Sequence, residues 1–120
     1  HRTIGELVTV PLVEGLTQAL SGFENHGGGT VLGPDAAPLG RVVSGVGNGT
    51  PQGRQPADVA YDGAVQGSII ATYMHGPALA RNPELADLLL TRATGMALEP
   101  LEVPGVAELR AQRLSGVQLP

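Results

Sequence analysis

An α/β fold, with short strands followed by helices that flank the sheet, is what the sequence predicts. Runs containing β-branched residues recur ahead of residue 75 and are stopped by Gly or Pro. Val65 to Met74 (VQGSIIATYM) contains a nearly continuous apolar stretch of the kind buried on both faces of a sheet. Beyond residue 82 the apolar residues recur every three and four positions, the spacing of a helix face. Apolar residues are 42% of the 120, enough for a packed core, and one domain is the limit at this length.

Taken in order, Thr3 to Val10 (TIGELVTV) alternates partially and stops at Pro11, which predicts a strand. A loop with Pro11, Glu14 and Gly15 follows, and Ala19 to His26 (ALSGFENH) is a second extended segment. Gly27, Gly28 and Gly29 form a flexible or tightly turned link. Thr30 to Leu32 is a short strand candidate, and Gly33-Pro34-Asp35 is a turn signal. Leu39 to Val46 predicts another strand, ending in Gly47-Asn48-Gly49, a sequence suited to positive φ. Thr50 to Ala60, rich in Gly, Pro and Gln, reads as an exposed, mobile loop. Val65 to Met74 is the strongest strand, with His75 immediately after it.

Asn82-Pro83 is a helix start with a mechanism, since Asn can cap free amides and Pro at the first helical position has no N–H to lose. That helix runs to about Thr94 on Leu85, Leu88, Leu89 and Arg92, carries Glu84 and Asp87 near its positive end, and stops at Gly95. Pro100 and Pro104 interrupt the following linker. A last helix, Gly105 to Leu114, carries Val106, Leu109 and Leu114 on one stripe and Glu108, Arg110 and Arg113 opposite.

Composition removes several function classes. Seven Arg, no Lys and eleven Asp plus Glu give a net charge of −4, and the Arg are dispersed, so nucleic-acid binding loses its usual electrostatic drive. No apolar run approaches the ~18 residues of a membrane span, and no charged-then-apolar leader is visible, which favours a cytoplasmic location. With zero Cys there is no disulfide, no thiolate metal site and no cysteine nucleophile in these residues. Only Phe23, Tyr61 and Tyr73 are aromatic, so the core must be aliphatic. The chain opens at His1 without Met and runs directly into a strand, as expected of a fragment or a processed chain.

Few residues carry acid–base or ligand chemistry beside Gly-rich turns. His75, at the end of a buried strand and before Gly76-Pro77, stands where open α/β sheets place their sites; it serves either proton transfer or simply the end of a strand. Glu24 and His26 share a strand face, as a hydrogen-bonded acid–imidazole pair or as part of a metal site, although two ligands leave a metal shell underfilled. Gly27 to Gly29 lacks the Lys-Ser/Thr of a phosphate loop and no helix follows it. Arg2 reads by itself as a solvated terminus, and Arg41 as part of a surface pair; of Tyr73 and Met74, one faces the core and one the site.

Three stretches in order carry a more specific pattern: Gly22-Phe23-Glu24-Asn25-His26-Gly27-Gly28; Pro38-Leu39-Gly40-Arg41-Val42 with Gly45-Val46-Gly47-Asn48; and Thr72-Tyr73-Met74-His75-Gly76-Pro77 with Ala80-Arg81-Asn82-Pro83-Glu84-Leu85-Ala86-Asp87. Over about residues 2 to 90 the chain resembles the C-terminal half of a class I glutamine amidotransferase domain of the cobyric acid synthase-like group. Within that group it resembles most the GatD-type glutaminase subunits of lipid II isoglutaminyl synthase. The resemblance implies a flavodoxin-like α/β fold, a mixed sheet with flanking helices, with residues 1–95 forming the C-terminal half of the domain and 96–120 a linker and helix. It also implies that a Cys on a nucleophile elbow attacks the carboxamide of glutamine, that a His activates it, and that ammonia passes to a partner ligase. His75 matches the family His; the Cys would lie upstream of His1, so these residues alone would be inactive.

Arg2, in an Arg-x-x-Gly-Glu context, matches an Arg implicated in holding the substrate glutamine. Many class I relatives carry a Glu two residues after the His, but Pro77 stands there, which leaves Glu24, on residue type alone, as a candidate to orient His75. Ala71, Met74 and Gly29 depart from the usual Gly, Leu and polar residue without removing a reactive group. The partner implied is a Mur ligase-like subunit of the MurT type, which would bind ATP and Mg²⁺ and amidate D-glutamate of the peptidoglycan stem peptide; no cofactor or metal is expected in this chain. A cobyric or cobyrinic acid amidating enzyme and a non-catalytic scaffold that keeps the fold are the alternatives. Exposed parallel strand edges, normally covered by the other half, predict poor solubility for these residues in isolation. A monodisperse, cooperatively unfolding 120-residue chain in ultracentrifugation and urea melts would contradict that.

Overall fold

The computed structural model describes residues 1–49 and 59–120. Most of the loop expected at 50–60 therefore lies outside the described residues. Its last residue, Ala60, accepts the Val42 N–H at 2.8 Å.

Strand β1 (Thr3–Pro11) forms the middle of the sheet because both of its edges find a partner. On one side β2 (Leu20–His26) pairs with it antiparallel, from Thr3 opposite His26 to Thr9 opposite Leu20. On the other side lies β3 (Gly40–Ser44), with a register shift between Val8 and Thr9. Two short strands, β4 (Tyr61–Asp62) and β7 (Met74–His75), complete the order β4-β3-β1-β2-β7. Between them β5 (Ala64–Gln66) and β6 (Ile69–Ala71) form a separate hairpin.

Helices α1 (Ala78–Arg81), α2 (Pro83–Thr94) and α3 (Val106–Leu114) follow, so the chain adopts the α/β class with flanking helices that the sequence predicts. Every pairing among the described strands is antiparallel, and the parallel part of the expected mixed sheet is not found in these residues. The connections explain it: β1, β2 and β3 follow one another without an intervening helix, and a parallel neighbour needs a longer crossover.

The pleat sorts the side chains. Leu7, Leu20, Glu24, His26 and Met74 lie on one face and are buried, whereas Ile4, Glu6, Phe23, Asn25 and His75 lie on the other, where exposure is greater. Leu7, Leu16, Leu20, Leu39, Met74 and Leu85 make one aliphatic core, joined by the hairpin residues Val65 and Ile70. Gly22 is needed under that layer, since a Cβ there would stand 2.6 Å from the Met74 side chain.

Three expectations fail for identifiable reasons. Val65 to Met74 is not one buried strand: Gly67, at φ 58°, and Ser68 make a two-residue hairpin turn, and Ile69 is 64% exposed. An apolar run has no period that separates a hairpin from a strand. Thr30 to Leu32 is not a strand, because the Thr30 N–H is taken by the Asn48 carbonyl at 2.8 Å and Val31 faces solvent.

Asn82 does stand at the start of α2, and Gly95 closes that helix at φ 70°, but the Asn82 side chain caps none of the α2 amides. Its Oδ1 accepts the Ser21 N–H at 2.9 Å, and its Nδ2 donates to the carbonyls of Ser21 at 2.8 Å and Ala78 at 2.7 Å. Arg110 likewise turns inward, donating to the carbonyls of Arg81 at 2.6 Å and Ala19 at 2.8 Å.

The segment Thr17 to Ser21 is thereby closed by side chains. Glu84 accepts the N–H groups of Thr17 and Gln18, Arg110 donates to the Ala19 carbonyl, and Asn82 takes the backbone N–H and C=O of Ser21. Replacing Asn82 by Ala strands the Ser21 N–H and C=O in a buried place, and an expected loss of about 2–3 kcal/mol follows. Urea unfolding checks it: the midpoint should drop with the slope unchanged.

Candidate functional site

His75 ends β7 opposite Phe23, and its ring is exposed. Its Nδ1 lies 2.8 Å from the Tyr73 carbonyl oxygen, so Nδ1 carries the proton and donates it there. In the neutral ring the lone pair then sits on Nε2, which has no hydrogen-bond partner among the described residues and can accept a proton.

Tyr73 is itself held from several directions. Its N–H donates to Asp62 Oδ1 at 3.2 Å, its hydroxyl lies 2.9 Å from Thr30 Oγ1, and its ring stacks on His26 with centroids 3.9 Å apart. Asp62 is 1% exposed and also accepts the Thr72 hydroxyl at 2.5 Å, while Thr72 Oγ1 accepts the Met74 N–H at 3.0 Å.

Glu24 and His26 form the hydrogen-bonded pair that their spacing predicts. His26 Nε2 is 2.8 Å from Glu24 Oε2, and His26 Nδ1 is 2.9 Å from the Gly28 carbonyl. Glu24, 1% exposed, also accepts the N–H groups of Val46 at 2.7 Å and Gly47 at 2.9 Å. That aim depends on Gly45, at φ 101°, where a Cβ would stand 2.8 Å from Glu24 Oε1, and on Gly47, at φ 65°. Asn48 completes the turn, its side-chain amide bridging the Gly63 N–H at 2.8 Å and carbonyl at 2.9 Å.

Glu24 does not orient His75. Opposite Met74 rather than Phe23, it lies on the other face of the sheet with its oxygens occupied. The orienting group is the Tyr73 carbonyl, invisible in a search of side-chain types. Among the described residues no group of three His, Asp or Glu could hold a metal ion.

Arg2 shares the face of His75 and donates to Asn25 Oδ1 at 2.8 Å. On sheet spacings Thr3 and His75 stand roughly 14 Å apart, so Arg2 and His75 flank Phe23 and Asn25 without touching. Asp62 and Asn48 were not singled out by sequence. An isolated polar residue carries no periodicity; Asn48 stood only within Gly-rich stretches of the sequence, and nothing in the sequence pointed to Asp62.

The open sheet face thus displays an imidazole held through Nδ1 and, farther along it, a guanidinium. A family model for the CobB/CobQ-like glutamine amidotransferase domain matches residues 1–83, and the chain belongs to that family. It is 36% identical over 96 residues to the lipid II isoglutaminyl synthase (glutamine-hydrolyzing) subunit GatD of Staphylococcus aureus, covering 78% of this chain and 36% of the relative. The GatD subunit of Streptococcus pneumoniae is 32% identical over 103 residues, 85% of this chain and 37% of the relative. A probable cobyric acid synthase of Methanothermobacter thermautotrophicus is 44% identical over 59 residues, 49% of this chain and 10% of the relative. The chain thus spans little more than a third of the length of the GatD subunits it matches.

The buried network sets a pH dependence. Burial works against charge on His26, yet its hydrogen bonds to Glu24 and Gly28 and the charges of Glu24 and Asp62 outweigh it and raise its pKa above the ordinary 6.5. Burial raises Asp62 above its ordinary 3.8, against the hydrogen bonds from Thr72 and Tyr73. Both groups hold a proton more tightly when folded, so each contributes most below its unfolded value and less as the pH climbs through its folded value.

Glu84 runs the other way. Burial opposes its charge, but the hydrogen bonds from Gln18 and Thr17 lower it below 4.5, and its contribution is lost as the pH falls through the folded value. The stability in urea is expected to decline from about pH 6 to pH 8, and His26→Gln to flatten that decline. An unchanged slope in the variant would assign the titration to another group.

Proposed function

We propose that this chain supplies the base-bearing part of a glutaminase that releases ammonia from glutamine for a ligase, and that the product is the amidated D-glutamate of the lipid II stem peptide. The observation that carries the reading is His75, held through Nδ1 by the Tyr73 carbonyl with Nε2 free, in a chain of the glutamine amidotransferase family. The nucleophile is a Cys outside these residues, which contain none.

His75 Nε2 takes the thiol proton, the thiolate adds to the carboxamide carbon, and the imidazolium returns the proton to the departing nitrogen as the tetrahedral species collapses. Ammonia leaves and a thioester remains. Water, deprotonated by the same nitrogen, cleaves the thioester to glutamate and restores the thiol. Arg2 holds the substrate carboxylate, for which a guanidinium has matching geometry.

The partner is a Mur ligase-like subunit of the MurT type acting in the cytoplasm, where it binds the ATP and Mg²⁺ that activate the acceptor. Coverage supports this over cobyric acid amidation, since the GatD subunits match 78% and 85% of the chain and the cobyric acid synthase 49%.

The test is glutamate release from glutamine by the full-length protein mixed with its co-encoded ligase. His75→Ala is expected to lower kcat by about 10² to 10⁴. Arg2→Ala should mainly raise KM. Equal rates in wild type and His75→Ala, or none in either, would overturn the assignment in favour of another base or a scaffold.

A further inference from the structure

We propose that Asp62 and His26 are positioning residues for His75, acting through Tyr73: they fix the place of the one carbonyl that sets the tautomer of the exposed imidazole. The inference rests on the reading of His75 as the base, and it adds to that reading the groups that orient it.

Among the described residues the His75 ring makes a single hydrogen bond, to the Tyr73 carbonyl, so its orientation is as good as the placement of that oxygen. No side chain of Tyr73 can supply this, because the acceptor belongs to the backbone. The backbone is held instead on both sides of it. Asp62 accepts the Tyr73 N–H through Oδ1 and the Thr72 hydroxyl through Oδ2, and the same hydroxyl accepts the Met74 N–H. One buried carboxylate thus spans the three residues that precede His75.

The second restraint is on the ring. Tyr73 stacks on His26 at an interplanar angle of 25°, and His26 cannot turn, because its nitrogens are bonded to Glu24 and to the Gly28 carbonyl. Two buried acids on the opposite face from His75, Glu24 and Asp62, are therefore joined to it by way of Tyr73. This also accounts for a polar cluster beneath a sheet whose remaining core is aliphatic.

The readout that a merely structural role would not move is the tautomer. Ring-nitrogen chemical shifts of the neutral His75 ring in the full-length protein should report the Nδ1–H tautomer. Asp62→Ala and His26→Ala are expected to give a mixture containing Nε2–H and to lower kcat about tenfold or more with little change in KM. Asp62→Asn, which retains an oxygen for the Tyr73 N–H, should restore much of both.

If Asp62→Ala does not fold, Thr72→Val removes the hydroxyl between Asp62 and Met74 and carries the same expectation. A wild-type ring already mixed in tautomer, or an unaltered tautomer in these folded variants, overturns the proposal. A tautomer that shifts as expected in a protein that releases no glutamate from glutamine would leave the positioning intact and remove the glutaminase reading instead.

Discussion

The buried carboxylate of Glu24 is the constraint around which the rest is arranged. A carboxylate that is 1% exposed must have its oxygens satisfied, and here they take the N–H groups of Val46 and Gly47 and the imidazole of His26. Those amides converge only because the backbone turns through positive φ at Gly45 and Gly47, where a side chain would collide with Glu24 or with the Tyr61 carbonyl. From the turn the order spreads outward: Asn48 ties Gly63, and its carbonyl ties Thr30. The loops after β2, β3 and β4 are thus drawn to one place by one charge, which fixes His26 and the ring that stacks on it.

At the other end of β2 the same kind of accounting is done by helices. The strand needs partners along its outer edge, and β7 reaches only Phe23 and Glu24. Side chains of Asn82, Glu84 and Arg110 complete the edge from Thr17 to Ser21, and an ion pair from Arg81 to Glu6 secures the neighbouring strand. An edge closed in this way is a poor template for another strand, which works against the aggregation expected from bare strand edges. It also anchors the helices to the sheet, so that α3, whose apolar stripe is only half-buried, docks through Arg110.

The buried networks leave one face of the sheet open. Ile4, Phe23, Asn25, Arg2 and His75 share it, and the polar cluster on the opposite face holds the backbone from which His75 projects. The chain belongs to the CobB/CobQ-like glutamine amidotransferase family and spans about a third of the length of the GatD subunits it matches.

By itself the sequence determined the local elements and the chemistry they display. Extents of β1, β2, α2 and α3 follow from alternation, from helical spacing and from Pro and Gly at the ends, and the ordered motifs around Glu24, Arg41 and His75 sufficed to indicate the family. The pairing of Glu24 with His26 was also legible, since a two-residue period puts neighbours on one face. Tertiary structure decided where polar side chains find their partners. Asn82 and Arg110 stand at positions that read as a cap and a solvated face, yet each is bound to the edge of β2, and the partner of His75 is a backbone carbonyl. Spacing along a chain encodes which residues share a face; it does not encode which distant groups will lose their water together, and that loss selects the hydrogen bonds made in the fold.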